Sequence, residues 1–120
     1  MIVLVTDALD RVLAALDRGG IRATVEPPEI NPPAAWIAAR RLDTETLGCR
    51  WRVVVDVYLI VPDTGIRYAL DTLDGLLARA LDALDAADLE VDGTDLDQSV
   101  TLPTGGGPLP AYRIGVIAEP

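Results

Sequence analysis

The chain has 120 residues, a length that suits one domain spanning residues 1–120, with its own apolar core. Half of the residues are hydrophobic, yet Phe is absent and only two Trp and three Tyr occur, so that core is built mainly from Leu, Val, Ile and Ala. One cysteine, Cys49, excludes an internal disulfide, the absence of His removes any Cys/His zinc set, and a net charge of -9 with every positive charge on Arg disfavours tight binding to a phosphate backbone.

Residues 1–5 are apolar but have no basic flank and are followed by Asp7, so neither a signal peptide nor a membrane span is expected there; they extend the first helix or add a strand. Thr6 reads as an N-cap before Leu9, Val12, Leu13 and Leu16 at helical spacing, and Gly19 and Gly20 supply the stop. Residues 21–25 read as a short strand. Pro27, Pro28, Pro32 and Pro33 then force an extended, irregular connection. Residues 34–41 return to a strand around Trp36 and Ile37, and residues 43–48 read as a hairpin loop.

The strongest strand signal spans residues 51–61. Trp51, Val53, Val55, Val57, Leu59 and Val61 share one face, and Arg52, Val54, Asp56, Tyr58 and Ile60 share the other. Residues 64–87 read as a long helix with Ile66, Leu70, Leu73, Leu77, Ala80, Leu81 and Leu84 on its apolar stripe; Gly75 inside it suggests a point of close packing. The C-terminal third reads as a hairpin of residues 98–102 and 111–118, joined by a loop of residues 103–110 that contains Gly105, Gly106 and Gly107. So long and glycine-rich a tip is either mobile or ordered by a partner. The order helix, three strands, helix, two strands predicts an α+β fold, a mostly antiparallel sheet of four to five strands with both helices on one face.

Chemistry is sparsely supplied. Asp71/Asp74 and Asp82/Asp85 are helix neighbours that fit a solvated polar face better than an acid/base or metal pair, since no His or Lys is present to complete a site. Asp88, Glu90, Asp92 and Gly93 imitate the opening of a calcium loop, but Ser99 stands where a bidentate Glu is required and no second helix follows by residue 97 or beyond. The glycines at 105–107 lack the Lys-Ser/Thr pair of a phosphate cradle, and Cys49 lacks a base. No catalytic residue, cofactor or metal is expected.

Binding is the better-supplied function. Trp36 is either core or an interface anchor, and Arg40, Arg41, Arg50 and Arg52 form the only basic concentration in the chain. Residues 61–120 carry eleven acids against three Arg, so the arginines either meet that acidic half in another copy, head to tail, or pair within one subunit or face water. The candidate interface is Trp36, Arg40, Arg41, Arg50, Arg52, Asp56, Tyr58 and the tip Gly105, Gly106 and Gly107.

The first helix closed by Gly19-Gly20, the segment PPEINPP before Ala34-Ala35-Trp36, the strand RWRVVVDVYLIVPD and the long helix from Ile66 together resemble the tail-terminator proteins of siphophages that infect actinobacteria. The resemblance implies a virion protein, made in the host cytoplasm, that forms a homohexameric ring on the head-proximal end of the tail tube. Its implied partners are other copies, the major tail tube protein and the head–tail connector, with DNA only as passing cargo, no membrane and no catalysis. An acidic ring suits that cargo, since like charges repel. The other reading is a small cytosolic adaptor, a dimer that uses the half-polar sheet face to hold one partner.

Overall fold

A computed structural model describes residues 4–26, 28, 30–45, 50–63, 65–103, 105 and 107–118. The chain is α+β, in the order α1 (Leu4–Arg18), β1 (Ala23–Thr24), β2 (Ala34–Glu45), β3 (Arg50–Ile60), α2 (Ile66–Ala86), β4 (Glu90–Thr101) and β5 (Pro108–Ala118).

Helix α1 is described from Leu4, so Leu4 and Val5 belong to it and Thr6 lies within it rather than capping it. Ala8, Val12, Ala15 and Leu16 are its buried stripe, flanked by Leu9 and Leu13. It ends where Ile21 N–H donates to Leu16 O and Gly20 N–H to Asp17 O, each at 3.0 Å, with Gly20 at φ 77. That pair of bonds is a Schellman stop, which needs one residue in the left-handed region. Helix α2 ends in the same way, Leu89 N–H on Leu84 O and Asp88 N–H on Asp85 O, but the left-handed position is held by Asp88 at φ 57.

The five strands form one sheet in the order β1-β2-β3-β5-β4. Among the described strands only β1 is parallel to its neighbour, pairing Ala23 and Thr24 with Ala35 and Trp36 of β2. Strands β2 and β3 form a long hairpin whose ladder runs from Ala34↔Ile60 to Glu45↔Arg50, so β2 continues through residues 43–45, which the sequence assigns to a loop. Its ladder is interrupted at Arg40, a bulge between Ala39 and Arg41.

Strand β4 starts at Glu90, well before the expected residue 98, and β5 starts at Pro108 rather than residue 111, which leaves a link of residues 102–107. The segment that imitates a calcium loop is therefore a helix cap at Asp88 followed by an edge strand. Its acids are tolerated because an edge strand is half solvated, and charge there discourages unwanted pairing.

Both helices pack on one face of the sheet. Val53, Val55, Val57, Leu59 and Val61 meet Val12, Leu16, Leu73, Ala80 and Leu84 in the main core, joined by Tyr112, Ile114, Val116 and Ala118 from β5. The α2 stripe is Ala69, Leu73, Leu76, Ala80 and Leu84, with Leu77 and Leu81 at its border; Leu70, expected inside, is 42 % exposed. At Gly19 a Cβ would come within 2.7 Å of Ala83 Cβ, which marks the close approach of α1 and α2. At Gly75, where close packing is expected from the sequence, a Cβ would meet nothing within 4 Å. A smaller apolar cluster lies on the opposite face, where Ile30 and Leu102 fold over Ala34, Ile60 and Ala111. Among the described residues no helix is long and apolar enough to cross a membrane.

Candidate functional site on the outer face of the sheet

Alternation along β3 sends Arg52, Val54, Asp56, Tyr58 and Ile60 to the face away from the helices, and the register carries this face across the sheet. Trp36, Tyr58, Arg113 and Asp95 occupy successive positions on β2, β3, β5 and β4, forming one continuous cross-strand row. Trp36 and Tyr58 are half-buried and stack with ring centroids 5.1 Å apart at 23°, an arrangement that adds to burial. Arg113 is ion-paired with Asp95. Chiefly through that hydrogen bond, its guanidinium is held above its ordinary pKa; burial opposes the shift, while a hydrogen bond with Tyr58 and the charges of Asp95 and Asp56 add to it.

The next row across is Ala38, Asp56, Gly115 and Gly93, three small residues around one carboxylate. Asp56 is 5 % exposed, the only charged residue buried among those described. Arg40 Nε lies 3.4 Å from its Oδ1, within ion-pair range but without hydrogen-bond alignment, so Oδ1 has charge compensation and no hydrogen bond. The bulge at Arg40 interrupts the ladder there, and the Arg40 guanidinium lies over Gly115 of β5, 3.8 Å from where a Cβ would stand. Beside it, Arg40, Asp92, Thr94, Asp95 and Arg113 line an open polar depression of about 280 Å³.

The remaining arginines lie along the β2–β3 hairpin. Arg41 Nε pairs with Asp43 Oδ1 at 2.9 Å. In the ladder Arg52 stands opposite Asp43 and Arg50 opposite Glu45. Arg40 and Arg41 thus each have an acid of their own subunit within ion-pair range. Gly105 and Gly107 are not part of this group. They lie in the β4–β5 turn, and the ladders place that turn at the opposite end of the sheet from the β2–β3 turn. Gly105 N–H donates to Leu102 O at 3.0 Å, and Leu102 is buried in the smaller cluster, so the described part of this turn is anchored within the subunit. Gly106 and Cys49 lie outside the described residues.

The outer face draws as much from Arg113, Asp95, Asp92 and Gly115 as from the residues singled out in the sequence. Alternation along β5, with Ala111, Arg113, Gly115 and Ile117 on one side, is the signal that locates two of them. Asp74 is not simply a solvated helix acid, because it accepts a hydrogen bond from the buried Tyr112. Among the described residues no group of three or more His, Cys, Asp or Glu is placed to hold a metal ion. Compared with known proteins, the chain matches no family model and no curated sequence.

Proposed function

We propose that this chain is a structural virion protein which caps the head-proximal end of a phage tail tube as a hexameric ring, ending tube growth and joining the tail to the head connector. Its outer sheet face would be apposed to another protein, and no reaction is assigned to it. The observation that carries this reading is the closure of charge on that face: Arg40 with Asp56, Arg41 with Asp43 and Arg113 with Asp95 are paired within the subunit. Burying a charge that already has its partner costs less than burying an isolated one, so such a face can be covered by a partner without leaving orphaned ions. The half-buried Trp36–Tyr58 stack beside it offers an aromatic anchor of the kind that concentrates binding energy. The element order and the helix-backed sheet fit the resemblance in the sequence, and the charge of -9 fits a ring through which DNA passes without adhering.

Polymerising purified tail tube protein with and without the chain, followed by electron microscopy, tests the proposal. The expected result is shortened tubes that carry a ring of added density at one end. Tubes of unchanged length, with the chain left in solution as a stable dimer, would instead favour the adaptor reading.

A further inference from the structure

We infer that the chain joins a second copy of itself edge to edge, with β4 of one copy against the 37–42 segment of β2 in the next. The inference rests on the ring reading above and adds which surfaces meet. Among the described residues both sheet edges are open, since β1 covers β2 only at Ala35 and Trp36 and no strand lies outside β4. The exposure pattern agrees. Residues 39–42 are exposed, although Val53, Val54 and Val55 opposite them are buried.

The two edges carry matching local patterns of opposite sign. On β2 the bulge places Arg40 and Arg41 beside Leu42, which is 42 % exposed; on β4 a second ladder irregularity places Asp95 and Asp97 on either side of Leu96, which is 60 % exposed. The β4 edge thus presents an uncovered leucine between two acids, and the 37–42 segment an uncovered leucine preceded by two arginines, with Asp43, the ion-pair partner of Arg41, just beyond it. Strand β4 adds Glu90 and Asp92 and has no basic residue. A β4–β4 pairing would set acids against acids, and a pairing of two 37–42 segments would set arginines against arginines. Between these segments the mixed pairing brings opposite charges together and sets Leu42 beside Leu96. Arg41 can turn to such a partner, because its ion pair with Asp43 is solvent-exposed on both sides and such pairs are weak. A contact between two different edges is heterologous, and copies joined in this way continue until the rotation closes them into a ring.

The test is charge reversal on each edge of the full chain, read by native mass spectrometry and sedimentation, with circular dichroism and unfolding midpoints as checks on folding. Arg41→Glu alone and Asp97→Arg alone are each expected to weaken association by about tenfold or more, and an equimolar mixture is expected to restore assembly with the two variants in equal number. If either reversal shifts the unfolding midpoint, Leu42→Ser and Leu96→Ser take its place, each expected to weaken association. A wild type that assembles while folded edge variants assemble equally well, or reversals whose mixture fails to recover, would overturn the edge assignment and leave the ring reading standing. A wild type that stays monomeric, alone and with tube protein, would overturn both.

Discussion

The Tyr112 hydroxyl donates to Asp74 Oδ1 across 3.1 Å, fastening the middle of α2 to the strand beneath it. Tyr112 is a buried member of the main core, so this hydrogen bond lies at the boundary between packed sheet and solvated helix face.

Replacing Tyr112 with Phe keeps the ring packing and removes the bond, at an expected cost of about 1 kcal/mol at neutral pH. Burial first, and then the bond to Asp74 and its charge, raise the Tyr112 pKa above 10.0. Above that pH the unfolded chain releases the phenolic proton while the folded chain retains it. The stabilisation is therefore complete below pH 10 and is lost as pH rises through the folded value. Urea unfolding across alkaline pH should show wild type losing this contribution while Tyr112→Phe has none to lose; parallel curves would contradict it.

Gly19 and Gly75 should respond oppositely to alanine. At Gly19 the new methyl would meet Ala83 Cβ at 2.7 Å and force α1 from α2, costing about 1–3 kcal/mol. At Gly75 it meets open space on an exposed helix position, so the gain in helix propensity should stabilise the chain by about 1 kcal/mol. Thermal unfolding of the two variants measures both signs in one experiment.

Asp88 holds the left-handed position at the end of α2 that Gly20 holds at the end of α1. A side chain there carries a steric cost that glycine avoids, so Asp88→Gly should raise stability by about 0.5–1 kcal/mol. A fall in the urea midpoint would mean that the Asp88 carboxylate contributes something its cap geometry does not reveal.

Arg40 is the ion-pair partner of buried Asp56. Arg40→Ala should cost about 1–3 kcal/mol, since it strands a carboxylate whose Oδ1 already lacks a hydrogen bond. Adding Asp56→Ala should recover part of that loss. A double-mutant cycle checks it, and additive losses would show that the two side chains are not coupled.

What the sequence revealed follows from how each element is buried. Strand β3 was legible because one side faces the helix core, and Val53, Val55, Val57 and Leu59 keep strict alternation. The first half of β4 was not, because Glu90, Asp92, Asp95 and Asp97 around Gly93 have the composition of a loop. Edge strands invert that signal, since half their backbone faces water and charge protects it. Leu70 and Gly75 misled for a related reason: helical periodicity fixes which residues share a face, while α2 docks along Ala69, Leu73 and Leu76, slightly rotated from the expected stripe. The site was half visible. Arg40, Asp56 and Tyr58 stand out in the text of β2 and β3, but their partners Gly115 and Arg113 arrive from β5, and only the register of the sheet brings them alongside.

Native mass spectrometry of the full chain over a range of concentrations, alone and with tube protein, tests the central claim most directly. A hexamer, with no dimer accumulating on the way, is the predicted species. A dimer of fixed mass at every concentration, unchanged by the tube protein, would contradict it.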